Sequence, residues 1–202
     1  MNIIVGAGVY GLSVALNLIQ EGEDVVVIDG GHPNIASNNA LGRLDPIFRG
    51  AGSYNNSSHH KKALLKPQDQ KQIALDSYLK HKVNYEKIVS ESGVDYKLQE
   101  IKTLQVCFSQ EEFLEIENSK QEAESFGFNV ELINNKEIES YQKGISNEII
   151  GAALVSGTLF LNSNLFISAL RKNVEINGGI FINKLVDKLF IEDKKIQTMD
   201  GS

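Results

Sequence analysis

Three glycines and one acid near the start of the chain have the spacing that binding a dinucleotide requires. The glycines lie in Gly6-Ala7-Gly8-Val9-Tyr10-Gly11, and Asp29 follows Gly11 by 18 residues. Gly6 permits a tight turn, Gly8 lets the backbone approach a diphosphate, and Gly11 lets a helix pack closely. The Asp29 carboxylate can accept hydrogen bonds from both hydroxyls of an adenosine ribose. A carboxylate would also repel a 2′-phosphate, which disfavours NADP.

A β-α-β unit must position these residues. Ile3-Ile4-Val5 predicts a strand, apolar residues over 12–19 predict a helix ending near Gly22, and Val25 to Ile28 predict a second strand. Unsatisfied N–H groups and the positive dipole end of the helix favour an anion at the glycine turn. Because Asp29 comes at the carboxyl end of the second strand, the whole pattern is the dinucleotide-binding fingerprint. The alternative is a β-α-β unit whose glycines serve packing alone.

The composition and net charge of the chain argue against several classes of protein and site. The 202 residues are 42% hydrophobic and 23% charged, as in ordinary globular proteins. A net charge of −6 without a basic stripe argues against a nucleic-acid partner. A single cysteine, Cys107, excludes an intramolecular disulfide and a CxxC site. No apolar run reaches the ~18 residues of a membrane helix, and a strand directly after Met1 leaves no signal peptide, so we expect a cytoplasmic protein.

The pattern along the chain changes twice, which predicts three segments: residues 1–92 and 149–202 form a nucleotide-binding domain, and residues 93–148 form an inserted α+β lobe. Because Asp200-Gly201, just before the final Ser202, begins a turn with no returning strand, we expect the amino-terminal part of a longer protein. Beyond Asp29, helices are predicted over 66–92, 109–126, 135–141 and 163–177, and strands over 101–108, 130–133, 149–155, 159–161, 180–182, 185–191 and 196–198.

The loop after Asp29 distinguishes between dinucleotides. An NAD dehydrogenase usually proceeds into another β-α-β repeat, whereas this chain continues as Ala36-Ser-Asn-Asn-Ala-Leu-Gly-Arg-Leu44. That stretch resembles the second flavin-contacting segment of the FAD-dependent D-amino-acid oxidase superfamily, which includes glycine oxidase, sarcosine oxidase and dimethylglycine dehydrogenase. In that family a Ser/Thr-rich segment with a following glycine runs beneath the FAD diphosphate.

The resemblance continues from Gly157 through Leu165 to Gly178-Gly179 and Val186, which matches the family's adenine-pocket valine. Ser163 replaces a family proline. Asn39 stands where some members carry a histidine that tethers FAD covalently, so noncovalent FAD is expected. The resemblance implies cofactor contacts from Gly6, Ala7, Gly8, Val9, Tyr10, Gly11, Asp29, Gly30, Ala36, Ser37, Leu41, Gly42, Arg43 and Val186.

Arg43, His59-His60 and Arg49 are weaker candidates for a functional role. Arg43 would stabilise reduced flavin if it reached the flavin ring, and otherwise it is a salt-bridged surface arginine. His59-His60 suggests a solvated loop, since no acidic or cysteine partner is nearby for a metal. Arg49 is a candidate substrate contact. No metal site is assigned. No catalytic residue is assigned either, because in the family the substrate-binding residues come mostly from the carboxyl-terminal half.

The expected fold is α/β: a FAD-binding Rossmann-type domain of the glutathione-reductase kind, with an inserted α+β substrate lobe and an incomplete carboxyl end. The resemblance implies an enzyme that oxidises the C–N bond of an amino acid or secondary amine, with hydride transfer to flavin N5. Oxygen or a quinone or carrier would accept the electrons. The alternatives are a FAD-dependent hydroxy-acid or glycerol-3-phosphate dehydrogenase, or an NAD-binding regulatory module. An isolated amino-terminal part is not expected to turn over substrate.

Overall fold

The computed structural model describes residues 1–31, 36–45, 67–190 and 195–199, and the fold is given for these. They form an α/β structure that divides into two compact units. In chain order its elements are β1 (Asn2–Val5), α1 (Val9–Gln20), β2 (Val25–Ile28), β3 (Arg43–Leu44), α2 (Pro67–Ser92), β4 (Gln99–Cys107), α3 (Gln110–Ser125), β5 (Asn129–Asn134), α4 (Asn135–Tyr141), β6 (Gly151–Phe160), α5 (Ser163–Ile176), β7 (Ile180–Ile182), β8 (Val186–Phe190) and β9 (Lys195–Thr198).

Unit 1 comprises Met1–Gly42, Asn84–Leu98 and Leu161–Ser202. Its parallel sheet has the order β1-β2-β7, and Val26 of the central strand pairs with Ile3 on one side and Ile180 on the other. Helices α1 and α5 contact each other, and their apolar residues pack with alternate sheet residues in one core. That core consists of Ala7, Leu12, Ala15, Leu16, Val25, Val27, Leu170 and Val174.

Alternation along these strands explains which residues enter the core. Val25 and Val27 of β2 belong to the core cluster, and Ile4 and Phe181 of the flanking strands pack against it. The intervening residues of the edge strands point to the other face of the sheet, because side chains alternate along a strand. That face stays apolar, and Ile180 on it is 60% exposed. The helices therefore cover one face of the sheet, and the glycine turn lies at the carboxyl end of β1.

Unit 2 comprises Arg43–Val83 and Gln99–Phe160. Its antiparallel sheet has β6 in the centre, paired with β3, β4 and β5. The predicted domain boundary at residue 149 put β6 with the nucleotide-binding segment, whereas its strand partners place it in the sheet of unit 2. The sequence could not show this, because strand pairing is a long-range property.

Most predicted elements are confirmed, including the long helix α2, which ends before Gly93. Ser109 caps α3 as predicted, since its hydroxyl accepts the Glu112 N–H at 3.2 Å. The predicted division of one strand is also wrong: the two strands over 149–155 and 159–161 form the single strand β6, which continues through Gly157 at a φ of +102°. Glycine tolerates that conformation inside a strand, so it does not end the strand.

The carboxyl-terminal hairpin is confirmed in its strands. β8 and β9 pair antiparallel, with Val186 opposite Thr198 and Leu189 opposite Ile196. The turn predicted between them covers residues 192–195; residues 192–194 lie outside the described residues, and Lys195 begins β9.

Candidate cofactor site

The turn between β1 and α1 requires glycine at two positions. Gly6 has a φ of +97°, a conformation that other residues rarely adopt. A Cβ at Gly11 would lie 2.0 Å from the carbonyl oxygen of Gly6, far inside contact distance. The Gly6 N–H donates to the carbonyl of Ile28 at 2.8 Å. The turn is therefore compact and attached to the end of β2.

The amino terminus of α1 is suited to an anion. Gly8 is the N-cap residue, no side chain within this cap accepts a helix N–H, and the first turn holds no acid. First-turn N–H groups have no partner within a helix, and the helix dipole makes this end positive. A diphosphate supplies the acceptor oxygens and the negative charge that such an end favours.

Ser37 brings the second predicted segment to the same turn. Its hydroxyl accepts the Val9 N–H at 3.2 Å, although the two residues are 28 positions apart. A Cβ at Gly8 would lie 3.1 Å from the same hydroxyl oxygen. The segment itself forms a turn in which the Asn39 N–H donates to the carbonyl of Ala36 at 3.2 Å. A side chain at position 8 would therefore crowd the Ser37 hydroxyl.

Asp29 lies directly after β2, as the fingerprint requires. Its Oδ2 accepts the Ala7 N–H at 2.7 Å, and its Oδ1 accepts the Gly31 N–H at 2.8 Å. The sequence predicted a carboxylate that contacts the ribose, but it did not predict these two backbone contacts. No sequence signal could have revealed the first one, because Ala7 and Asp29 meet only when β1 and β2 pair.

The end of the second segment is held by residues far along the chain. Gly42 has a φ of +72°, and a Cβ there would lie 2.0 Å from the carbonyl oxygen of Leu161. The Leu161 N–H donates to the Gly42 carbonyl at 2.9 Å, and the Ser163 hydroxyl donates to the Ala40 carbonyl at 3.0 Å. Ser163, the departure from the family proline, therefore fixes the loop through a hydroxyl that proline lacks.

The remaining predicted residues of unit 1 include Gly30, Val186, Tyr10 and Leu41. A Cβ at Gly30 would lie 2.6 Å from Leu185 Cγ, and Val186 follows Leu185 at the start of β8. The side chains of Tyr10 and Leu41 are 87% and 76% exposed. Their contacts with a cofactor remain predictions.

Arg43 belongs to unit 2. Its guanidinium forms an ion pair with the carboxylate of Asp45, whose side chain is only 5% exposed. A flavin contact from Arg43 remains a prediction alongside this pairing. His59, His60 and Arg49 lie outside the described residues.

The residues present fit FAD at its diphosphate and ribose. The amino terminus of α1 presents first-turn N–H groups that suit a diphosphate, although Ser37 already accepts the one from Val9. The glycines remove Cβ atoms that would otherwise fill the turn, and Asp29 supplies carboxylate acceptors for a ribose. Among the described residues, no group of His, Cys, Asp and Glu could hold a metal ion. Within the same ranges, no helix has the length and hydropathy to cross a membrane.

Unit 2 holds a separate groove of about 550 Å³ on its sheet. None of the residues predicted to bind the cofactor lines it, and Lys102 supplies its charged group. The buried hydroxyl of Tyr78, in α2, donates to the carbonyl of Gly157 in β6 at 2.5 Å, and burial raises the Tyr78 pKa. The groove is lined by Lys102, Leu104, Val106, Tyr141, Gln142, Ile145 and Leu154.

Comparison with known protein families identifies one match. The family model DAO, described as FAD dependent oxidoreductase, matches residues 2–201. No curated protein sequence matches the chain.

Several solved structures share the fold. Glycine oxidase from Bacillus cereus matches with a TM-score of 0.72 at 20% identity, over 98% of this chain and 51% of that chain. Iminodiacetate oxidase from Chelativorans sp. matches with a TM-score of 0.72 at 18% identity, over 99% and 51%. L-α-glycerophosphate oxidase from Mycoplasma pneumoniae, with FAD bound, matches with a TM-score of 0.70 at 18% identity, over 99% and 50%. The chain thus spans about half the length of these proteins, and at such identities the likeness is one of fold.

Proposed function

The chain belongs to the DAO family of FAD-dependent oxidoreductases, and on that premise we propose that the whole protein oxidises the C–N bond of an amino acid or secondary amine. The bound cofactor supplies the redox chemistry, because the oxidised flavin of FAD accepts a hydride at N5. The residues of this chain bind and orient it. We propose that the binding is noncovalent, since Asn39 offers no tether.

The observation that carries the proposal is the convergence of three chain segments on one turn. The amino-terminal end of α1 would bind the diphosphate, and Asp29 would bind the ribose. Ser37, whose hydroxyl contacts the Val9 N–H, would place the second segment beside the diphosphate. Gly42 and Ser163 would hold the end of that segment in a fixed path. Each role follows from the atoms that these residues present.

The amine substrate is proposed from the kinds of protein that share the fold. They include a glycine oxidase, an iminodiacetate oxidase and an L-proline dehydrogenase, whose names indicate substrates with a C–N bond. Removing a hydride from the carbon beside nitrogen requires the amine to be deprotonated, so that its lone pair stabilises the developing cation. No residue of this chain is assigned to remove that proton.

The decisive experiment is the absorbance of the purified full-length protein, followed by anaerobic titration. Oxidised flavin bands in the near-ultraviolet and the blue are expected, and an effective amine should bleach them. Glycine, sarcosine, proline and D-amino acids should be tried in turn, and adding oxygen afterwards would separate a peroxide-forming oxidase from a dehydrogenase. A colourless protein that binds NAD would refute the proposal and favour the regulatory module.

The alternative within the family is a hydroxy-acid or glycerol-3-phosphate dehydrogenase. It is favoured by the match to L-α-glycerophosphate oxidase, which covers 99% of this chain. The same titration distinguishes the two, since glycerol 3-phosphate or a 2-hydroxy acid would then bleach the flavin while every amine left it oxidised.

A further inference from the structure

Asp29 connects two turns of the backbone as well as presenting a carboxylate. Its Oδ2 accepts the N–H of Ala7, in the glycine turn after β1, and its Oδ1 accepts the N–H of Gly31, in the turn after β2. The two distances are 2.7 and 2.8 Å, the range of strong charge-assisted bonds. One carboxylate therefore holds the ends of both strands at the place where the cofactor would bind.

The contact with Ala7 matters more than the contact with Gly31. Ala7 is only 6% exposed, whereas Gly31 lies on the surface. A buried N–H that loses its acceptor is strongly unfavourable, so the turn would have to rearrange to reach water if the carboxylate were removed. The conformation of the glycine turn thus depends on Asp29 even when no ligand is bound.

We propose that Asp29 is a positioning residue that sets the glycine turn in its FAD-ready conformation before the cofactor binds. This proposal rests on the proposed function for the identity of the cofactor. A carboxylate oxygen can accept two hydrogen bonds, so each amide contact leaves capacity for a ribose hydroxyl. A turn that is already ordered loses less entropy on binding, and part of the FAD affinity is then carried by preorganisation.

Side-chain length separates this role from a ribose contact alone. In Asp29→Glu the charge and the ribose acceptors remain, but the carboxylate lies further from the backbone by one C–C bond, about 1.5 Å. Two hydrogen bonds of 2.7 and 2.8 Å cannot both survive that displacement without movement of the turn. Asp29→Asn keeps the length and replaces one acceptor oxygen with an amide that donates.

The experiment uses the full-length protein stripped of FAD, as wild type, Asp29→Asn and Asp29→Glu. Asp24→Asn is the matched control, because Asp24 is an exposed acid just before β2 whose backbone carbonyl accepts the Asn2 N–H. Amide hydrogen exchange is followed at Ala7 and Gly31, with α5 as an internal reference. The thermal midpoint and the FAD dissociation constant are measured on the same samples.

We expect exchange at Ala7 to accelerate at least tenfold in both Asp29 variants, with α5 unchanged. The thermal midpoint should fall by a few degrees, and the FAD dissociation constant should rise at least tenfold in Asp29→Asn. Asp24→Asn should match wild type in every measurement. If Asp29→Asn does not fold, amide hydrogen exchange at Ala7 in Asp29→Glu tests the proposal.

If the FAD-free Asp29→Glu protein had the same exchange rate at Ala7 and the same thermal midpoint as wild type, the positioning role would be overturned, even if FAD affinity changed. Failure of the wild-type protein to bind FAD is a different result: it would refute the proposed function, while the exchange measurement would still report on the turn.

Discussion

For the substitution Gly11→Ala, helix propensity predicts a gain in stability and packing predicts a loss. Gly11 lies in the first turn of α1, where alanine is favoured over glycine by up to about 1 kcal/mol. The structure opposes this gain, because the new Cβ would lie 2.0 Å from the carbonyl oxygen of Gly6. Ordinary contact begins near 3.4 Å, so either the helix or the turn must move by more than 1 Å.

Such a movement approaches the rise of one helical residue, 1.5 Å. Helix α1 cannot slide that far without disturbing Leu12, Ala15 and Leu16, which lie in the core of unit 1. Overpacking of this kind costs about 1–3 kcal/mol, which exceeds the gain in helix propensity. We therefore expect a net loss of roughly 1–2 kcal/mol in the free energy of unfolding, and weaker FAD binding from the displaced turn.

Chemical denaturation of the FAD-free full-length protein measures the first effect, and flavin fluorescence titration measures the second. Val14→Ala is the control, since Val14 is 51% exposed on the same helix and should change stability by less than about 0.5 kcal/mol. If Gly11→Ala were more stable than wild type and bound FAD normally, the close approach of α1 to the glycine turn would be refuted.

Three further predictions concern single hydrogen bonds and one titration. Tyr78→Phe removes the buried bond to the Gly157 carbonyl and should lower the free energy of unfolding by about 1–2 kcal/mol in denaturant melts. Ser37→Ala leaves the Val9 N–H without its acceptor, and FAD titration should show weaker binding. Burial lowers the His81 pKa from 6.5 to about 4, so the unfolded chain takes up this proton first as the pH falls. Acidification from about pH 7.5 to about pH 5 should therefore lower the free energy of unfolding by about 2 kcal/mol through His81. His81→Gln should abolish this part of the pH dependence.

Controls for these three come from the same chain. Tyr141→Phe changes a tyrosine that is 48% exposed and should leave stability unchanged. A Ser37→Thr variant keeps the hydroxyl and should retain FAD binding better than Ser37→Ala. An identical pH dependence in wild type and His81→Gln would show that the imidazole does not titrate differently in the folded protein.

Much of the fold was predictable because its signals are local. Apolar periodicity predicted α1 and α5, and alternating or continuous apolar runs predicted β1, β2 and β7. Capping was also readable where donor and acceptor are three residues apart, as at Ser109 and Glu112. The division of β6 into two strands was wrong, because β6 continues through Gly157, and the two-residue strand β3 was not predicted.

The sequence by itself determined the β-α-β unit, the positions that must be glycine and the place of Asp29, because these follow from steric rules and spacing along one segment. Only the tertiary structure decided that Asp29 binds Ala7 and Gly31, that Ser37 meets Val9, and that Ser163 holds the loop end at Ala40. Each of these contacts, except the one to Gly31, joins atoms that are distant along the chain. Such contacts arise from strand pairing and helix packing, which a local pattern does not encode.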